Sequence, residues 1–257
     1  MLCTRLQNIL MRDEPAGTRP HLVLLHGWGM HARVWAELSV QLAPQFRVLT
    51  MELPAARTSP DALDSIAYTL AAASPSRVIV GGWSLGGQVA LRWAQLRPAQ
   101  VERLILFSTT PRFVNGSDWT HGMAPAVFDA FAESLEQDVN ATLQRFVLLQ
   151  AHRDKDVRHV ARRLSECMAS GQQHAPALAN GLRLLKVNDL RPELTALTQR
   201  VLILHGDRDT VVPLCAGEFL HQSLQQAEIK VIAGAAHAPF ITAPQTVARH
   251  IAEFGHG

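Results

Sequence analysis

The sequence predicts an α/β fold: a mostly parallel central sheet flanked by helices, with an all-helical cap inserted into it. Two observations predict the sheet. Short runs rich in Val, Ile and Leu recur and are mostly apolar on both parities, which suits strands covered on both faces. Helix-patterned stretches separate these runs, and such alternation gives a parallel sheet. A third observation predicts the cap. From about Pro111 to Lys186 the alternation stops, and strands resume only at Val201.

The strand runs are His21 to Leu25, Phe46 to Met51, Arg77 to Val80, Leu104 to Phe107, Val201 to Leu204 and Ile229 to Ile232. Helical patterning covers about 32–42, 61–73, 85–97, 215–225 and 245–254. In the interruption, Phe128, Phe131, Leu135, Val139, Leu143 and Phe146 step by three or four residues, a helical stripe. Val157, Val160, Ala161, Leu164 and Met168 form a second one. Two amphipathic helices are therefore expected in the cap. The division is residues 1–111 and 187–257 for the core and 112–186 for the cap, an insertion rather than an independent domain.

Composition fits one large core, with 47% of 257 residues hydrophobic and 18% charged. Lys and Arg number 24 against 22 Asp and Glu, which argues against a general nucleic-acid or polyanion binder. No apolar run approaches the roughly 18 residues of a membrane helix. The opening MLCTRLQNILMRDE is interrupted by Arg5, Gln7 and Asn8 and lacks a small-residue cleavage site, so no signal peptide is expected. Cys3, Cys167 and Cys215 are too few and too scattered for a disulfide framework and fit a reducing cytoplasm. The 12 histidines show no H-E-x-x-H and no paired Cys/His spacing, so no dedicated zinc site is expected, and the serine chemistry read below requires neither metal nor organic cofactor. A cytoplasmic monomer is the expected state.

The chemistry starts at Gly82-Trp83-Ser84-Leu85-Gly86, a G-x-S-x-G pentapeptide between the strand run ending at Val80 and a helical stretch. That context makes it a nucleophile elbow, in which a tight turn lifts the serine above the sheet at the positive end of the next helix. Ser84 is the candidate nucleophile. It needs a base, and the base needs an orienting acid. The base is expected at His237, in the small-residue loop Ala233-Gly234-Ala235-Ala236-His237-Ala238-Pro239-Phe240 after the last strand. That loop lies at the carboxyl edge of the sheet, where open α/β folds bind ligands. The acid is expected in Gly206-Asp207-Arg208-Asp209, with Asp209 preferred and Asp207 as the second choice, read as a turn or cap residue. His26-Gly27-Trp28-Gly29 follows the first strand and offers a close backbone approach. The Trp28 and Leu85 amides are the expected oxyanion donors. Phe128, Phe131 and Phe146 are candidates to line an acyl channel.

Taken together, the HGWG loop, GWSLGG and AAHAPF resemble the α/β-hydrolase superfamily over almost the whole chain. Within it they are most similar to the pimeloyl-[acyl-carrier protein] methyl ester esterases of biotin synthesis. The resemblance implies an α/β-hydrolase fold and hydrolysis of a methyl ester from a pimeloyl chain on acyl-carrier protein. It implies a triad of Ser84, Asp209 and His237, with Trp28 and Leu85 as oxyanion and substrate contacts. It also implies that Arg145, Arg158 and Arg162 meet the acidic carrier. Two departures stand out. Ala141 replaces a family arginine one helical turn before Arg145, and the glycine-rich stretch after the strand 46–51 reads Leu53-Pro54-Ala55-Ala56-Arg57.

The residues themselves point to a basic patch. From Arg145 to Arg163 there are six basic residues against Asp154 and Asp156. Arg158 and Arg162 are i, i+4 neighbours, about 40° apart around a helix, and an acidic partner or a phosphopantetheine phosphate relieves their repulsion. Three other readings share the motifs: a general short-chain carboxylesterase or thioesterase, a carbon–carbon bond hydrolase, and a non-catalytic ligand receptor on the same fold.

Overall fold

The computed structural model describes residues 19–56, 58–169 and 175–256. The opening MLCTRLQNILMRDE, Cys3 and Arg57 lie outside the described residues. Six strands form one sheet: β1 His21–Leu25, β2 Arg47–Met51, β3 Val78–Trp83, β4 Val101–Phe107, β5 Arg200–Gly206 and β6 Ala227–Ile232. All neighbouring pairs are parallel, in the order β2-β1-β3-β4-β5-β6. The order reverses between β1 and β3. Side by side, at that switch point, emerge the HGWG loop after β1 and the G-x-S-x-G turn after β3, the place where such sheets bind ligands.

Apolar residues on both parities are explained by two cores. Val23, Leu25, Val80 and Leu104 face one side, with α2 (Ala62–Ala72), α3 (Leu85–Leu96) and α8 (Leu214–Ser223). Leu22, Leu24, Ile79 and Ile105 face the other, with α1 (Ala36–Leu42), α9 (Pro239–Thr242) and α10 (Pro244–His256). Trp35, Phe107 and Phe240 stack there, with ring centroids 4.2–5.8 Å apart. The predicted helix over 32–42 begins as a 3-10 turn, Ala32–Trp35, before α1.

Among the described residues, four α-helices, not two, lie between β4 and β5: α4 Pro125–Gln137, α5 Val139–Ala151, α6 Val157–Glu166 and α7 Ala175–Val187. The apolar stripe from Phe128 to Phe146 is broken at Asp138, whose backbone is extended (φ −151°, ψ 100°). Its carboxylate accepts the Ala141 N–H at 3.0 Å and caps α5, so one stripe serves two helices. The second helix the sequence reading lacked is α7. Its Leu178, Leu182 and Leu185, at i, i+4 and i+7, are buried. Among the described residues, no helix is long and apolar enough to cross a membrane. Cys167 is buried, Cys215 is half-buried, and both are free thiols.

Candidate active site

The turn after β3 has the geometry its sequence requires. Ser84 sits at φ 55°, ψ −116°, one of three described non-glycine residues with positive φ. Glycine is needed on either side. A Cβ on Gly82 would lie 2.2 Å from the Gly86 carbonyl oxygen, and one on Gly86 would lie 2.5 Å from the carbonyl oxygens of Leu25 and His26. Hydrogen bonds to its backbone fix the strained residue, including a longer one from the Gln88 N–H to its carbonyl (3.3 Å). The Ser84 N–H donates to Phe107 O (3.0 Å), and its carbonyl accepts from the Gly87 N–H (2.9 Å) and the Thr109 hydroxyl (2.6 Å). Thr109 packs against Gly87, where a Cβ would overlap it. The sequence reading missed Thr109, whose partner lies 25 residues away.

His237 is almost fully buried, and its main chain is held from two sides. Its N–H donates to Gln150 O of α5 (3.2 Å), and its carbonyl accepts the Trp83 indole N–H (2.8 Å). Its ring lies 5.5 Å, centroid to centroid, from that of Trp83, the residue before Ser84. The Nδ1 edge meets Asp209 Oδ2 at 2.8 Å, while Nε2 is buried with no hydrogen-bond partner among the described residues. The other Asp209 oxygen, Oδ1, accepts the Val211 and Val212 N–H groups, both at 2.9 Å. Burial works against the charge of Asp209. The field and hydrogen bond of His237 outweigh it, with help from His205 and the Val212 amide, and hold the carboxyl below the usual carboxylate range. Asp209, bonded to Nδ1, therefore sets Nδ1 as the protonated nitrogen and leaves Nε2 free to accept a proton.

The second-choice acid has a different task. Asp207 does not cap its own turn; its Oδ1 accepts the Gly234 N–H at 2.7 Å and ties the histidine loop to the end of β5. His205 is fully buried, and burial pushes its imidazole below the usual histidine range. Its Nε2 donates to Val212 O (2.9 Å) and lies 3.6 Å from Asp209 Oδ2, so it braces the acid loop rather than competing as a base.

On the other side of Ser84 stands the loop after β1. Gly29 turns at φ +72°, and Gly29 O and the His31 N–H bond to Ala169 N and Cys167 O beyond α6. Buried His26 lies 3.0 Å from Glu52, whose carboxylate also accepts the Ala32 N–H. The hydrogen bond with His26 is the main reason that the Glu52 carboxyl is held down to about 2, against the opposing effect of burial. Among the described residues, neither the Trp28 nor the Leu85 amide donates a hydrogen bond to protein, and Leu85 opens α3. These are two free N–H groups at one helix start and its neighbouring loop, the arrangement that stabilises an oxyanion.

The Trp28 side chain divides two cavities. Its indole N–H donates to Leu178 O of α7 at 2.8 Å, and it reaches α7 because Gly181 has no Cβ. On one side is a narrow apolar cavity of about 40 Å³ that includes Ser84, Phe113, Phe128, Phe131, Phe146 and Leu182. Trp28, Phe131 and Phe146 meet there with centroids 5.1–5.5 Å apart. On the other side is a cavity of about 360 Å³ that includes Leu85, His31, Glu52, Leu53, Ala56 and Leu184. Phe128, Phe131 and Phe146, the three phenylalanines singled out in the sequence, all line the narrow cavity that includes Ser84. The α7 residues of both walls were missed, although their i, i+4, i+7 spacing was available as a signal.

The predicted carrier-facing arginines lie away from this centre. Arg145 on α5 and Arg158 and Arg162 on α6 are exposed. Among the described residues, Arg145 and Arg158 form no ion pair, whereas Arg162 lies 3.8 Å from Glu166, which also pairs with Arg163 at 2.7 Å. Ala141 is half-buried on α5, one turn before Arg145.

Known proteins agree with this fold and extend it. A family profile described as "alpha/beta hydrolase fold" matches residues 20–244. A protein of Nitrosomonas europaea named pimeloyl-[acyl-carrier protein] methyl ester esterase is 38% identical over 237 residues, covering 90% of this chain and 94% of that protein. One of the same name from Xanthomonas campestris pv. campestris is 38% identical over 250 residues, covering 95% and 98%. Among solved structures, an esterase from Exiguobacterium antarcticum superposes with a TM-score of 0.79 at 20% identity, covering 93% of this chain and 92% of that one, a likeness of fold. A chain that the hydrolase-fold profile matches over residues 20–244, and that is 38% identical to these esterases over nine-tenths of its length, is a carboxylic ester hydrolase of the α/β-hydrolase superfamily and belongs to the family of the pimeloyl-[acyl-carrier protein] methyl ester esterases.

Proposed function

We propose that this enzyme is a serine carboxylesterase that hydrolyses the methyl ester of pimeloyl-[acyl-carrier protein] to pimeloyl-[acyl-carrier protein] and methanol. The observation that carries the mechanism is the buried 2.8 Å pair of Asp209 with His237 Nδ1, which leaves Nε2 unpartnered beside the elbow. The substrate rests on the names of relatives 34–38% identical to this chain.

In the proposed sequence, His237 Nε2 takes the Ser84 proton as Oγ attacks the ester carbonyl carbon. The oxyanion is held by the Trp28 and Leu85 amides; losing one such donor typically costs about 10²–10³ in rate. His237 then gives its proton to the departing methoxide, which leaves as methanol. Water, deprotonated by His237, attacks the acyl-enzyme, and the returning proton frees Ser84. Asp209 holds the tautomer and stabilises the imidazolium. The core is 1–111 with 187–257, and 112–186 acts as the cap. Cap residues Phe128, Phe131 and Phe146 guide the acyl chain toward Ser84.

The carrier docks on the cap through Arg145, Arg158 and Arg162. Two of these have no competing carboxylate among the described residues, and long-range attraction to an acidic partner speeds encounter. Reversing Arg158 and Arg162 together to Glu is expected to lower kcat/KM for the carrier-bound ester by about 10-fold or more and to flatten its salt dependence. Turnover of a free p-nitrophenyl ester should stay unchanged. Unchanged kcat/KM on the carrier substrate would remove the docking assignment and leave the triad. A cytoplasmic location is proposed on the scattered cysteines described above.

A further inference from the structure

The turn between α5 and α6, residues 152–156, carries a carboxylate that surface electrostatics does not explain. In the sequence Asp154 reads as one of two acids diluting a basic patch. In the structure it is buried, at 5% exposure, and it points inward. Its Oδ2 accepts the Ala236 N–H at 2.8 Å and the Thr242 hydroxyl at 2.7 Å, and its Oδ1 accepts the Asp156 N–H at 2.9 Å. Ala236 immediately precedes His237.

The contact is part of a continuous seam. The Lys155 N–H donates to Gly234 O at 2.7 Å, and the His237 N–H donates to Gln150 O at 3.2 Å. Gly234 turns at φ +76°, and a Cβ there would lie 2.9 Å from the Lys155 side chain. Arg153, next to Asp154, holds a positive φ of 69°, a conformation that costs energy unless its surroundings impose it. Gly234 O and the Ala236 and His237 N–H groups are therefore bonded from the cap side, while the Gly234 N–H, Ala235 O and His237 O are held from the sheet side by Asp207, the Arg208 N–H and Trp83.

We propose that Asp154 is a positioning residue for His237: from the α5–α6 turn it fixes the register of loop 234–237 and so aims the imidazole at Ser84. This rests on the triad reading above. The Ala236 N–H has no other acceptor among the described residues, so removal of the carboxylate leaves that buried donor unpaired and lets the loop relax. A displacement of about 1 Å at a catalytic group costs on the order of 10² in rate. Residues 152–156 line neither of the two cavities, so KM for a small ester is expected to change little.

The test uses the full chain, free p-nitrophenyl acetate and four variants. Asp154→Ala is expected to lower kcat by about 10- to 100-fold with KM within twofold. Asp154→Leu keeps the branching at Cγ but offers no acceptor to Ala236, Thr242 or Asp156. It should lose about 10-fold or more in kcat. Thr242→Val removes a donor from the same carboxylate and a 3.2 Å bond to Ala238 O, but leaves the Ala236 N–H on Asp154, and should keep kcat within twofold. Ser84→Ala, run beside them, tests the triad itself.

Wild-type kcat in a folded Asp154→Ala protein overturns the proposal, as does a loss confined to KM. Should Asp154→Ala not fold, the Leu variant decides, and wild-type kcat there overturns it. An equal loss in Thr242→Val also overturns it, because general loosening would then account for the effect. Retained turnover in Ser84→Ala would instead overturn the triad reading.

Discussion

Ser84→Ala is expected to lower kcat for any ester by about a million-fold, the scale at which a covalent triad loses its nucleophile. The replacement removes one oxygen at a position exposed only 7%, so the rest of the turn should persist. Its bonds to Phe107, Gly87 and Thr109 all use backbone atoms of residue 84, and these are unaffected. Thermal unfolding should therefore change little while turnover disappears. Triad residues act as a unit, so Ser84→Ala combined with His237→Ala should be no slower than Ser84→Ala alone. Steady-state hydrolysis of p-nitrophenyl acetate by the single and double variants checks both statements. An additive further loss in the double variant would mean that His237 acts independently of Ser84.

Asp209→Asn is expected to cost about 10⁴ in kcat with a largely intact fold, because it reverses the tautomer of the base. Asp209 Oδ1 accepts two backbone N–H groups, from Val211 and Val212, each at 2.9 Å. An asparagine keeps those bonds only by placing its oxygen there, and its NH₂ then takes the site of Oδ2, facing His237 Nδ1. The imidazole must accept at Nδ1 and carry its proton on Nε2, where no base remains to receive the serine proton. Asp207→Asn, on the loop's other aspartate, should cost far less, since Asp207 meets Gly234 and not the imidazole. Equal losses in the two variants, measured by kcat on a free ester, would contradict the assignment of Asp209.

The sheet was legible because its signals are local. Strands such as Val201 to Leu204 are apolar at every position, and both faces of that strand are covered by packing. The elbow was legible for a similar reason: Gly82 and Gly86 are required by contacts within a few residues or with the adjacent strand. His237 stood out by its position after the last strand. What escaped depends on partners far away in sequence. Thr109 is recognisable only once its hydroxyl is seen on Ser84 O. Asp207 looked like a turn residue until Gly234, 27 residues on, proved to be its donor. Asp154 looked like surface charge because its partners Ala236 and Thr242 lie more than 80 residues away. The break at Asp138 was hidden because the apolar spacing carries on across it, and both helices bury the same stripe. Glu166 fell just outside the window counted for the basic patch, although it lies 3.8 Å from Arg162.

Methanol release from pimeloyl methyl ester carried on acyl-carrier protein, measured beside hydrolysis of a p-nitrophenyl ester, tests the substrate assignment most directly. The expected kcat/KM for the carrier substrate is at least about 10²-fold higher, falling with added salt as the arginine-mediated encounter is screened. Equal or lower kcat/KM for the carrier substrate, insensitive to salt, would contradict it and leave a general esterase with the same triad.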